Sequence, residues 1–218
     1  MKKSVAGLFA AVATVAFAGT AQAQICAGYP SSDRGFYFGA RADFPEDLDS
    51  YGVEANYNFS GPLGVYGGLN VISVEDGEEG EDNSSDELFA GVAFEAASLG
   101  LMIGPRVSAC GVAELRNISE DGEGYTEIPL GIGLGASLGV PGVRAAGYVQ
   151  PQVIISMYDF EGEDIDNETT FGIKAGATLG LGLVTVGGEV RHLFLDDEDF
   201  IGVIRDETTF GIRVGIAL

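Results

Sequence analysis

The sequence predicts an all-β fold, an antiparallel up-and-down transmembrane β-barrel of ten strands, with eight as the alternative count. Three observations carry this expectation. Short stretches of alternating apolar and polar residues run from Arg34 to Leu218; tight turns and acidic loops separate them in alternation; and an export leader precedes them. The last stretch, TFGIRVGIAL, shows the pattern. Phe210, Ile212, Val214, Ile216 and Leu218 fall on one face, and Thr209, Gly211, Arg213, Gly215 and Ala217 on the other. In a water-soluble sandwich the apolar face would turn inward, whereas in an outer-membrane barrel it meets lipid and the polar face lines the lumen.

The front of the chain favours the membrane alternative. Met1, Lys2 and Lys3 form a positive start, Val5 to Ala18 is an uncharged apolar run, and Ala21-Gln22-Ala23 has the small-x-small form of a cleavage site. Residues 1–23 therefore read as a secretory signal peptide, removed after Ala23. A lipoprotein leader is disfavoured because Ile25 precedes Cys26 where a small residue is needed. No later stretch approaches the roughly 20 apolar residues of a membrane helix, so any crossing must use strands. Residues 24–33 become an N-terminal periplasmic or lumenal segment, and 34–218 a single barrel domain.

Taken in order, the strands are expected near 34–44, 50–60, 63–74, 86–97, 101–116, 125–138, 142–158, 168–179, 182–195 and 206–218. Four connections are short: Gly61-Pro62, Ser98 to Gly100, Gly139 to Gly142, and Gly180-Leu181. The other five are read as long loops: DFPEDLD from Asp43, EDGEEGEDNSSDE from Glu75, NISEDGEG from Asn117, DFEGEDIDNE from Asp159, and DDEDFIGVIRDE from Asp196. Short turns belong to the periplasmic side and long loops to the outside, which places both termini in the periplasm.

Charge follows the same division. The chain is apolar on average, with mean hydropathy +0.20, yet carries a formal net charge of -22. Those two properties coexist if apolar residues face lipid and charge collects beyond it. The five loops and their margins hold 28 of the 33 acids. The strand-borne bases Arg41, Arg106, Arg116, Arg144, Lys174, Arg191 and Arg213 lie on the polar phase and are expected to point into the lumen. So acidic a surface excludes nucleic acid as a partner, because phosphates are repelled.

The leader, the strand-turn-strand-loop repeat and the terminal strand FGIRVGIAL resemble the small outer-membrane β-barrel superfamily, of the OmpX or OmpA-transmembrane-domain type. The resemblance covers Arg34 to Leu218 and is one of pattern, without a diagnostic motif. It implies a multi-pass location in the outer membrane of a Gram-negative cell, contact with outer-membrane lipid, and assembly by the barrel assembly machinery, which reads the last strand. The chain departs from the pattern in ending on Leu218 where Phe is usual, and in having ten strands where the smallest members have eight. The peptidoglycan-binding domain of OmpA-like proteins is not expected beyond the last strand.

Within the lumen, the hairpin of the eighth and ninth strands brings Lys174 near Glu189, and the ninth against the tenth brings Arg213 near Glu189. The expected result is a cation-anion-cation ladder, with Arg106, Glu95 and Arg191 in the same charge network. The ladder is open to two roles, cross-bracing of the barrel and a selectivity ring or small-anion site. Cys110 shares the inward phase with Arg106, Ser108 and Glu114, and Cys26 lies just before the first strand. In an oxidising periplasm the two could pair, which would pin the N-terminal segment in the lumen as a plug, with Gly131, Gly133 and Gly135 leaving space for it; two free thiols are the alternative.

Catalysis is not expected. Lipid A deacylases and omptin proteases use small barrels with a histidine and a supporting carboxylate or serine, but the one histidine, His192, falls on the lipid-facing phase beside Val190 and Phe194. No cofactor and no defined metal site is expected. The acidic loops lack the calcium-loop pattern, leaving solvated loops or diffuse divalent-cation binding. The sequence thus points to a structural or passive narrow-pore, porin-like role with a largely filled lumen. The alternatives are a surface interaction or cation-binding protein acting through its loops, and a rim enzyme using His192.

Overall fold

The computed structural model describes residues 26–28, 35–45, 48–59, 62–74, 84–100, 105–120, 123–159, 167–194 and 208–218. Ten strands follow one another: β1 (Phe36–Phe44), β2 (Leu48–Asn58), β3 (Leu63–Val74), β4 (Ser84–Gly100), β5 (Arg106–Glu120), β6 (Glu123–Val140), β7 (Val143–Asp159), β8 (Glu168–Leu181), β9 (Val184–Phe194) and β10 (Thr208–Ala217). Each pairs antiparallel with its neighbour in sequence, and β1 pairs with β10, from Tyr37 opposite Ala217 to Phe44 opposite Phe210. The fold is therefore a closed ten-stranded up-and-down barrel with no free edge. Two connections at one end are two-residue turns, Pro141-Gly142 and Gly182-Leu183. Their glycines hold φ of +84° and +62°, which side chains resist, and the Gly182 N–H donates to the Gly142 carbonyl at 2.9 Å.

Period-two alternation converts directly into two faces. Leu99, Ile132 and Phe171 stand outside with 76%, 65% and 63% exposure, while Glu54, Asn70 and Lys174 point inward with 1%, 2% and 4%. The barrel is thus inverted relative to a water-soluble one: its polar side chains are interior and its apolar ones exposed. Among the described residues no helix is long and apolar enough to cross a membrane, which says nothing about strands.

Aromatic rings border the apolar belt at both ends. Toward the loop end, Phe44 lies opposite Phe210 and 6.4 Å from the Tyr51 ring, Phe171 lies opposite Phe194, and the His192 ring stacks edge-on against Phe194 at 4.8 Å. Toward the turn end, Phe36 lies opposite Tyr57, whose ring is 5.0 Å from Phe59. From Phe36 to Phe44 the strand rises about 3.3 Å per residue and is tilted about 40° in barrels of this kind, so the girdles stand roughly 20 Å apart, near the ~25 Å apolar band of membrane barrels.

The strand ends correct several expectations. DFPEDLD and NISEDGEG are not long loops: β1 and β2 run into the first, and β5 and β6 continue to Glu120 opposite Glu123 in the second. The alternation that located the strands marks where the apolar belt is; the hydrogen-bond ladder needs no apolar side chains and continues beyond it. The connection expected at Ser98 to Gly100 is also displaced, since β4 runs through Gly100, opposite Arg106. A bulge between Glu95 and Ala97 resets the alternation so that Ser98 returns to the inner face. The expected start of the fifth strand at Leu101 lies outside the described residues, as do residues 75–83, 160–166 and 195–207 of the acidic loops and the leader.

A closed ladder should resist detergent without heat. The purified protein is expected to show β-type circular dichroism and to migrate differently on a gel before and after boiling in detergent; equal mobility with a helical spectrum would contradict the barrel.

Candidate functional site

The inward phases of the strands converge on a set of paired charges. Glu189 on β9 is the hub. It receives Arg213 Nη2 of β10 at 2.6 Å and the Tyr148 hydroxyl of β7, and Arg41 Nη2 of β1 lies 3.6 Å away. Arg41 also binds Asp43 through two nitrogens, at 2.5 and 3.0 Å, a fork that a lysine could not offer. Glu54 on β2 lies 4.0 Å from Arg41 and 3.9 Å from Arg213, joining three walls of the barrel.

A second group forms on β3 to β5. Arg116 holds Glu114 at 2.5 Å and Glu87 at 3.0 Å, and Glu87 also accepts from Asn70 Nδ2 at 2.5 Å. Phe89 joins the groups, because its ring carries the Arg41 guanidinium at 5.5 Å and that of Arg116 at 5.9 Å. A side chain at Gly68 would collide with this ring. Nearer the turn end, Arg106 binds Glu95 at 3.2 Å and Ser98 at 2.9 Å.

Glu189 is also the centre of the expected ladder. Glu189 does meet Arg213, but Lys174 lies directly opposite Arg191, and Glu189 lies opposite Gly176. From that diagonal position Lys174 is a buried cation whose charge acts on Glu189, and also on Glu114. Arg41, from a strand distant in sequence, is a further cation close to Glu189. Arg191 sits higher, lining a small cavity of about 90 Å³ at the loop-side mouth together with Arg41, Asp43, Glu87, Arg116 and Glu127. Asp43, Glu87 and Glu127, counted with the acidic loops, are thus buried in the lumen wall. The polar phase of the strands marked Arg41 and Arg116 as inward; nothing in the sequence marked Phe89 as their partner or Tyr148 as the partner of Glu189.

The N-terminal segment enters the same space. Cys26 is joined to Cys110 of β5, with Cα atoms 5.8 Å apart. Cys26 and Ala27 pack against Tyr66, Phe89, Ala93 and Val112, a small apolar core inside an otherwise polar lumen. On the opposite wall, Arg213 Nη1 donates to the Gly28 carbonyl at 2.8 Å. Residues 26–28 therefore bridge the barrel from β5 to β10. Of the glycines expected to make room, Gly133 faces Cys26, whereas Gly131 abuts the Gln150 side chain.

His192 lies on the outer face, its Nδ1 2.9 Å from Thr208 Oγ1. Among the described residues no group of three or more His, Cys, Asp or Glu is placed to hold a metal ion.

No family model and no curated protein matches the chain. Among solved structures it is similar to a chain described as "Unveiling the Mechanism Behind the in-meso Crystallization of Membrane Proteins", at 9% identity over 83% of each chain and a TM-score of 0.29. A likeness that distant carries no argument about function.

The hub makes an asymmetric prediction. Removing one partner of a buried ion pair leaves an uncompensated charge and costs about 3 to 5 kcal/mol. Glu189→Ala removes a buried carboxylate shared by Arg213, Arg41 and Lys174 and is expected to lower the denaturant midpoint of the refolded barrel more than Glu95→Ala, which removes one partner of the more exposed Arg106. Equal losses would mean that Glu189 is not the hub.

Proposed function

We propose that this protein is a non-enzymatic integral outer-membrane β-barrel of the small-barrel type, with a structural or narrow-pore, porin-like role, its lumen closed by its own N-terminal segment. The observation that carries the reading is the inversion of the barrel: an exposed apolar belt, bordered by aromatic rings, surrounds a lumen of mutually paired charges. A continuous exposed apolar surface of that size is not stable in water and is ordinary in lipid. The leader read from Met1 to Ala23 supports export, and the paired Cys26 and Cys110 suit an oxidising compartment.

In this reading the charge network braces the wall and excludes a wide aqueous path, and residues 26–28 close what remains. Solute would enter from the small loop-side cavity and stop at Glu189, Arg41 and Phe89. No catalytic role is assigned to His192, whose ring turns outward between Thr208 and Phe194.

One observation favours a second reading, action through the loops. The inward bases largely find carboxylates within the lumen, so the excess that makes the net charge -22 belongs to the acidic loops. Such loops repel one another unless cations screen them, which would couple surface behaviour to divalent ions.

Planar-bilayer conductance separates these roles. The oxidised protein is expected to conduct poorly, and either thiol reductant or Cys26→Ser to raise conductance as the segment loses its covalent anchor. Bond loss should also lower stability by on the order of 4 kcal/mol, since the disulfide closes a long loop. Lower stability with unchanged conductance would make the bond a staple and the plug irrelevant to flux.

A further inference from the structure

The outer surface holds one feature that neither the lumen nor the loops explain. An open apolar groove crosses it from β4 to β9, with a volume of about 750 Å³. Its banks are two rows of outward side chains in register across the sheet. One row passes from Val92 through Leu130 to Phe194, and the other from Phe94 through Ile132 to Ile173. Between them the intervening residues point inward and present only backbone, including that of Gly131 and Gly172.

Every sheet has such furrows; this one is widened by its small residues. Gly111, in the second row, faces open space, for a Cβ placed there meets nothing within 4 Å. Ala113 and the Pro151 ring are the other low points, while Phe94, Phe171 and Phe194 stand above them. The prolines also interrupt the wall: β6 pairs with β7 at Gly131–Gln152 and again at Leu134–Val149, but not at Pro151, which has no N–H to donate. The same loss occurs beside Pro129 between β5 and β6.

We propose that this groove holds one acyl chain of an outer-leaflet lipid as a specific, long-lived ligand. The inference rests on the membrane reading above and goes beyond general contact with lipid. Three properties commit the site to a linear apolar occupant. The lining is almost wholly apolar. The rows span five inter-strand spacings of about 4.8 Å, roughly 24 Å, so the groove is long as well as narrow. Its upper end reaches Phe194 in the loop-side aromatic girdle, next to the His192–Thr208 pair, where a polar headgroup would lie while its chain ran obliquely down into the belt.

The test is photolabelling of the full refolded protein in phosphatidylcholine vesicles doped with a fatty acid bearing a mid-chain diazirine, with adducts mapped by peptide mass spectrometry. Adducts on the segments around Gly111, Ile132 and Pro151 are expected to exceed those on the opposite lipid-facing wall, around Val53 and Ile212, by roughly tenfold. Gly111→Leu fills the groove without a clash at its Cβ and is expected to bring labelling there down to that of the opposite wall while the heat-dependent gel shift persists. Ala113→Leu serves the same purpose if the first variant does not refold. Equal wild-type labelling around the belt would overturn the site while leaving the membrane reading intact. Protein-protein adducts through these segments in place of lipid adducts would also overturn it, in favour of a second copy of the chain. A belt that takes no label anywhere would defeat the membrane reading itself.

Discussion

Closure of the ladder between β1 and β10 is the constraint on which the other features depend. Eight consecutive residue pairs, from Tyr37–Ala217 to Phe44–Phe210, turn a sheet with two edges into a wall with two sides. Once the wall is closed, a side chain is either inside or outside, and the period-two alternation of every strand becomes a partition between two media. An open sheet of the same sequence would leave Tyr37, Arg41 and Asp43 unable to meet β9 and β10, and Glu189 would lose Arg41.

Inside, the deciding effect is the cost of an unpaired charge away from water. Arginine guanidinium groups reach across strands and share carboxylates: Arg41 with Asp43, Glu54 and Glu189, and Arg116 with Glu87 and Glu114. Because Arg213 binds both Glu189 and the Gly28 carbonyl, the charge network and the N-terminal segment are one structure. The disulfide supplies the covalent end of that bridge and Arg213 the polar end. The apolar contacts of Cys26 and Ala27 with Tyr66 and Val112 explain why a polar lumen contains an apolar pocket at all: it is the seat of the segment.

Outside, uniformity is broken where the ladder is broken. The bulge at Glu95–Ala97 and the unpaired stretches beside Pro129 and Pro151 all lie on β4 to β7, the longest strands. Long strands tolerate local losses because their remaining pairs hold the register. The shorter strands β1, β2, β9 and β10 carry no such interruption, and they support the closing seam and the hub.

What the sequence by itself determined was the partition: ten strands, their inner and outer phases, the inward placement of Arg41, Cys110, Lys174, Glu189 and Arg213, and the outward placement of His192. Each of these follows from a period-two pattern that any short window displays. The tertiary structure decided the register, the true strand ends and the partners. A slip of two residues leaves every side chain on its original face, so phase alone cannot distinguish Lys174 opposite Glu189 from Lys174 opposite Arg191. Nor does the apolar pattern extend where the ladder does, which is why the segments around Asp43 and Glu120 read as loops and form strands. The meeting of Arg41 with Glu189, and of Cys26 with Cys110, joins residues far apart in the chain; closure alone brings them together, and no local pattern encodes it.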